Sequence, residues 1–288
     1  MNAKRTDGRQ RQHRRPLAVL LLAPLLLYLA LFLAFPAAYA VKLAFTDSLT
    51  GAFPSLANFR DVWGDALFWR ALINNIFLPL CSVLVELVLG LALALFLAAR
   101  FRGRRLLRAI VVVPFALPEI VFLTIMRYVF APRGYANGAL AAVGLPPVEW
   151  LLPGHALTFA TVVLVDAWHV TPVVFLMLLA ALTAIPEGTL EAAKLDGAHF
   201  WPRLRFIILP LLWPALAAAV LLRGVDALRI FATPLVLTGV EGVPVLSTYA
   251  YHQWSDYGND GAAAAASTLL AVVSVLLTIP LLQRRVAA

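Results

Sequence analysis

The sequence predicts an all-α polytopic membrane protein with six transmembrane helices, and three observations carry that prediction. Of the 288 residues, 62% are hydrophobic and only 13% charged, against ~25% charged in soluble domains. Apolar stretches recur at lengths sufficient to cross ~30 Å of hydrocarbon. Basic residues collect in short blocks beside those stretches, as lysine and arginine do in cytoplasmic loops.

Taken in order, residues 1–16 form a basic tail holding Lys4, Arg5, Arg9, Arg11, Arg14 and Arg15, and residues 17–288 form the six-span domain. The first span is placed at 17–41. Its apolar run from Leu17 to Val41 exceeds the 7–15 residues of a signal-peptide core and has no clear small-residue cleavage site, so it reads as retained. An external loop over about 42–74 carries Asn58-Phe59 and the aromatic group Trp63, Phe68 and Trp69, suited to the membrane interface. The second span (75–99) and the third (107–130) are separated by Arg100, Arg102, Arg104, Arg105 and Arg108. Lys194, Arg203 and Arg205 lie between the fourth (156–184) and the fifth (206–228). The sixth (261–283) begins in the run Ala262–Ala266, whose small side chains permit close packing, and is followed by Arg284 and Arg285. Pro24, Pro36, Pro79, Pro114, Pro118 and Pro172 do not exclude helices, because transmembrane helices tolerate proline.

With six spans the four basic regions fall on one side, which the positive-inside rule makes cytoplasmic, with both termini inside. The opposite loops carry Asp47, Asp61, Asp65, Glu149, Glu241, Asp256 and Asp260. The net charge of +8 therefore points to membrane topology and not to nucleic acid. Cys81, the single cysteine, has no intrachain partner, which excludes disulfides and cysteine-rich metal sites.

The sequence contains no His-Glu-x-x-His zinc motif, no Gly-x-Ser-x-Gly elbow and no phosphate-binding Gly-x4-Gly-Lys-Ser/Thr loop. No cofactor or metal is expected on this chain. Ionisable residues inside spans are the functional candidates, because burial there is costly. They are Glu86, Glu119, Asp166, Arg223, Asp226 and Arg229. Arg223, Asp226 and Arg229 recur at intervals of three and share a helical face if the fifth span reaches that far. An ion-pair ladder lining a polar cavity and direct contact with a solute both fit this spacing. In the fourth span, Asp166, Trp168, His169 and Thr171 form a polar-aromatic patch suited to a sugar ring, with helix packing as the competing role. The candidate solute path comprises Asp166, Trp168, His169, Asp226 and Arg229, while Glu86 and Glu119 are read as gate or interhelical contacts.

Between the fourth and fifth spans lies Glu191-Ala192-Ala193, then three residues, Gly197, nine residues, Ile207 and the pair Leu209-Pro210. Glu191 to Leu195 favour helix, and Gly197 suits a sharp bend. The segment resembles the EAA loop of ABC importer permeases. The resemblance implies a cytoplasmic loop of two short coupling helices with the glycine at the bend, fitting a groove on an ATPase subunit. It assigns Glu191, Ala192, Ala193, Asp196, Gly197, Ala198, Leu209 and Pro210 to docking.

Further stretches are Asp226-Ala227-Leu228-Arg229-Ile230-Phe231, Leu237-Thr238-Gly239, Ser247-Thr248-Tyr249-Ala250-Tyr251, Ile185-Pro186 and Asn58-Phe59. They look like the carbohydrate-uptake permeases of the maltose/trehalose and glycerol-phosphate type. Relatives usually continue with further glycines and a proline after Leu-Thr-Gly, where this chain has Val240-Glu241-Gly242-Val243-Pro244. The resemblance implies a second permease subunit, two ATP-binding subunits carrying ATP and Mg, an external solute-binding protein, and a bacterial or archaeal cytoplasmic membrane. Sugar import by alternating access is the expected function. An ion-gradient-driven transporter, a permease for a non-sugar solute such as glycerol phosphate, and a membrane-embedded enzyme are the competing readings.

Overall fold

The structure, a computed structural model, describes residues 22–99 and 101–286. The basic tail, the first residues of the first span (17–21) and Arg100 lie outside the described residues. Twelve helices, counting continuous ones as single elements, make up the described chain. α1 (Leu22–Ala44), α3 (Ala66–Ala98), α7 (Ala156–Thr183), α9 (Phe200–Ala227) and α12 (Asp260–Val286) include five stretches long and apolar enough to cross a membrane. A bent pair, α4 (Arg104–Ala116) and α5 (Glu119–Val129), makes a sixth crossing when taken as one.

α1 contains a π-helical segment, Ala30–Ala34, followed at once by Phe35-Pro36. α9 repeats the arrangement, with Leu204–Ile208 followed by Leu209-Pro210. Proline has no N–H to donate and its ring crowds the carbonyl four residues back, so a widened turn just upstream relieves the crowding without ending the helix. Leu209 and Pro210 thus lie inside a continuous helix, beyond the bend they were grouped with.

Three expectations need correction. The second span begins at Ala66 rather than 75, and a short helix, α2 (Ala57–Gly64), carries Asn58, Phe59 and Trp63 of the segment placed at the interface. Asp65 caps α3 by accepting from the Leu67 N–H at 2.8 Å. Phe68 is buried against Tyr249, while Trp69 stays exposed and donates from Nε1 to the Trp63 carbonyl at 2.9 Å. The third span is not one helix, since α4 and α5 meet at 98°. The prolines at 114 and 118 stand one turn apart and Leu117 is extended (φ −79°, ψ 143°), as the residue before a proline prefers. The fifth span begins at Phe200 rather than 206.

α3 and α7 pack side by side in the same direction. Leu78 shares a cluster with Val162 and Val165, while Leu97 shares another with Leu178 and Leu182. Gly90 permits the close approach, since a Cβ there would stand 2.8 Å from Val174 Cγ1. α9 runs antiparallel to both, placing Leu212 beside Leu97 and Arg223 beside Glu86. Glu86 precedes the end of α3 at Ala98 by about 18 Å at 1.5 Å per residue, near the middle of a bilayer.

At the opposite end, Asn58 is buried and donates to the carbonyls of Leu43, Ala44 and Thr46, closing the C-terminus of α1. Gly261 passes directly beside it, where a Cβ would meet Asn58 at 2.6 Å. The run Ala262–Ala266 is buried, and Ala262, Ala264, Ala265 and Ala266 share a cluster with Ala44, Val62 and Phe68.

The connection between α9 and α12 is not a plain loop. α10 (Ala232–Gly242) packs on α5 and α7, and α11 (Leu246–Ser255) packs on α12 and α3. Two asparagines of α3 hold them down. Asn75 donates to the Leu228 carbonyl at 3.2 Å and accepts from the Leu246 N–H at 3.1 Å, and Asn74 donates to the Pro244 carbonyl at 2.8 Å. Gly239 breaks α10 at φ 70° and ψ −175°, a conformation essentially restricted to glycine.

Candidate functional site

Two features stand out: a polar cavity at mid-depth, and an exposed helix–bend–helix at one end. The cavity is organised around Arg223. Its Nε donates to Glu86 Oε2 at 2.8 Å and its Nη2 to Glu86 Oε1 at 3.1 Å, a bidentate pair between α9 and α3. Its Nη1 donates to Asp226, one turn further on. Asp226 also accepts from Arg229 Nη2 at 3.4 Å, and these two side chains are 57% and 70% exposed. The ladder suggested by the three-residue spacing is therefore present, but its anchor is Glu86 on another helix. α9 ends at Ala227, so Arg229 stands in the turn beyond it and not on the helical face.

Asp166 on α7 is buried, and its Oδ1 accepts from Thr233 Oγ1 of α10 at 3.0 Å. Its Oδ2 is buried without a hydrogen bond. His169 stacks on Phe122 with centroids 4.7 Å apart, and its Nε2 likewise has no hydrogen-bond partner. Between α7, α9 and the first turn of α10 lies a cavity of about 950 Å³ whose lining includes Phe115, Glu119, Asp166, His169, Arg223, Asp226, Arg229 and Phe231. Trp168 does not line it; that side chain is half-exposed elsewhere on α7. The aromatic walls are Phe115 and Phe231 instead. Thr171 turns back to the Ala167 carbonyl at 2.6 Å.

At the end marked by Leu97 and Leu212, α8 (Glu187–Leu195) stops in a glycine C-cap. The Ala198 N–H donates to the Ala193 carbonyl at 3.0 Å, and Gly197 takes φ 77° between them. The chain then enters α9 at Phe200. Ala193 is buried, whereas Glu191, Ala192, Asp196 and Gly197 are exposed and Ala198 is half-buried. Leu195 and Trp201 are also exposed, at 89% and 74%, although both precede the apolar part of the span.

The other end of the molecule has a polar crevice of about 470 Å³ lined by Asp65, Arg70, Glu241, His252 and Tyr257. Beside it the Tyr249 hydroxyl donates to Asp65 at 2.8 Å, and burial together with that carboxylate raises its pKa. At the tip, the His252 hydrogen bond holds Asp256 below the usual carboxylate range.

A helical bundle with a polar chamber at mid-depth and helix ends exposed for contact on both sides defines the class of membrane-integral transport permeases. The chain belongs to the family described as binding-protein-dependent transport system inner membrane component, whose model matches residues 86–288. It is 36% identical over 270 residues to the trehalose/maltose transport system permease protein MalF of Thermococcus litoralis, covering 90% of each chain. It is 33% identical over 273 residues to the trehalose transport system permease protein SugA of Mycobacterium tuberculosis, covering 92% of this chain and 87% of that one. Its fold matches a chain of a bacterial ABC transporter involved in the import of the acidic polysaccharide alginate, with a TM-score of 0.84 at 23% identity over 97% and 99% of the two chains.

Sequence reasoning missed Glu86 as the partner of Arg223, Thr233 as the partner of Asp166, and the Asn74–Asn75 clamp. Glu86 left a readable signal, because a carboxylate at that depth requires a cation. The asparagines left a weaker one, as polar residues opening an apolar run.

Proposed function

We propose that this chain is one transmembrane subunit of an ATP-driven, binding-protein-dependent importer of a sugar, a di- or oligosaccharide. The continuity of α9 carries the reading. This helix begins beside the exposed Gly197 bend and runs unbroken to Ala227, so Arg223 and Asp226 at the cavity stand on the same rod as the loop. Its 28 residues span roughly 42 Å at 1.5 Å per residue. A push on the loop is therefore delivered to the cavity wall.

In this reading Glu191, Ala192, Ala193, Asp196, Gly197 and Ala198 form the surface that meets a cytoplasmic ATPase, where ATP and Mg bind. Exposed Leu195 and Trp201 supply apolar area that such a partner would cover. Leu209 and Pro210 shape the helix behind it. The crevice near Asp65 and His252 faces the external binding protein, and a second permease subunit completes the chamber. Both termini lie in the cytoplasm. Asp166, His169, Asp226 and Arg229 lie on the solute path, and Trp168 is outside it in this conformation. The names of the relatives support a sugar as solute. Alternating access then requires only that the solute bind the two conformations with different affinity.

The test is uptake of labelled trehalose and maltose by proteoliposomes holding the permease pair. Uptake requiring both the ATPase subunits and the external binding protein supports the proposal. Uptake driven by an ion gradient without them overturns it.

A further inference from the structure

We propose that the cavity selects by charge, admitting uncharged or basic sugars and rejecting those that carry carboxylate, phosphate or sulfonate groups. The inference rests on the sugar-import reading and concerns the solute class of the same chamber. Its charged lining is Glu119, Asp166, Asp226, Arg223 and Arg229, with Glu86 directly behind Arg223. Four carboxylates thus stand against two guanidiniums. Protonating Asp166, or charging His169, still leaves one negative charge in excess.

The Arg223 guanidinium is also committed, whereas Arg229, 70% exposed, makes one contact of 3.4 Å to Asp226. Arg223 directs Nε and Nη2 to Glu86 and Nη1 to Asp226, leaving no nitrogen free of a carboxylate. Neither Glu119 nor Asp166 has an ion-pair partner within 4.0 Å among the described residues, and Asp166 keeps a buried oxygen without a hydrogen bond. An anionic group entering this chamber meets an excess of carboxylates over guanidiniums, with Arg223 already held by Glu86 and Asp226, at a depth where screening by water is weak. A hydroxyl-bearing solute meets acceptors instead, since the carboxyl oxygens of Glu119 and Asp226 line the chamber. The fold does not impose this preference, because a transporter of the same fold imports an acidic polysaccharide. The lining side chains decide it.

The experiment uses the complete permease–ATPase complex in nanodiscs without the external binding protein, so that its selectivity does not enter. Binding of two matched pairs is measured by equilibrium dialysis: maltose with maltobionate, and trehalose with trehalose 6-phosphate. Each acidic member should bind at least about tenfold more weakly than its neutral partner, as one unfavourable unit charge at close range implies. Glu119→Gln removes a charge that has no ion-pair partner among the described residues while keeping an acceptor oxygen, and it should narrow the neutral-to-acidic affinity ratio several-fold. Equal binding of acidic and neutral members, or a ratio that Glu119→Gln leaves untouched, overturns the charge selection alone. Binding of none of the four sugars overturns the sugar reading on which it rests.

Discussion

Gly197 is required for its backbone angle, not for space. Its φ is 77°, and an added Cβ would find nothing within 4 Å. A β-branched side chain there costs roughly 1–2 kcal/mol in the left-handed region, whereas asparagine visits that region readily. Gly197→Val should therefore leave the amount of assembled complex unchanged and cut ATP-coupled uptake severely, while Gly197→Asn keeps most of it. Equal uptake by both variants would remove the bend from the coupling path. Arg223 poses the opposite problem, since its charge is buried. Removing Glu86 alone (Glu86→Leu) leaves the buried Arg223 with Asp226 as its one carboxylate partner and should cost up to about 3–5 kcal/mol, read as a fall in melting temperature and in assembled complex. Glu86→Leu with Arg223→Met should recover most of that loss, leaving Asp226 paired with Arg229. The Arg223–Asp226–Arg229 spacing was legible because it lies within one stretch of chain. The Glu86 partnership was not, because it depends on the register of α9 against α3, which periodicity within a helix does not encode.

At the scale of elements, the long apolar helices were legible and the interruptions were not. α7 ends within one residue of its expected bound, because its 28 residues are predominantly apolar and contain one central proline. The third span failed because prolines at 114 and 118 remove two donors one turn apart, depriving the carbonyls of Ile110 and Pro114 of their helical partners. The α10–α11 segment was invisible for another reason. Each helix is too short to cross a membrane, and their burial depends on contacts with α5, α7 and α12. Asn75 is the piece that fixes them, holding the end of α9 and the start of α11 at once. Asn75→Leu would leave the Leu228 carbonyl and the Leu246 N–H without partners, at roughly 1–3 kcal/mol for each buried group. Amide hydrogen exchange over residues 228–246 should accelerate while α7 keeps its protection. Unchanged exchange there would mean that the apolar contacts of Ile230, Leu237 and Val245 suffice.

For the whole molecule, direction is the remaining variable, and charge determines it. Arg102, Arg104, Arg105 and Arg108 stand at the same end of the bundle as the Gly197 bend, since Leu97 and Leu212 share a cluster there and Arg108 donates to the Leu97 carbonyl at 2.6 Å. Glu241, Asp256 and Asp65 stand at the other end, around the polar crevice. This segregation of basic and acidic residues was readable from sequence alone, and the packing places the two groups at opposite ends. The proposed orientation follows from the positive-inside rule, under which the Gly197 loop would lie in the cytoplasm, the compartment that holds ATP. Arg105 and Glu241 are both exposed, so a cysteine at either position is accessible without disturbing the core. In a Cys81→Ser background, an impermeant thiol reagent applied to intact cells should label cysteine at Glu241 and spare cysteine at Arg105. After permeabilisation both should react. Labelling of position 105 in intact cells would invert the bundle, place the loop outside, and remove it from any ATPase.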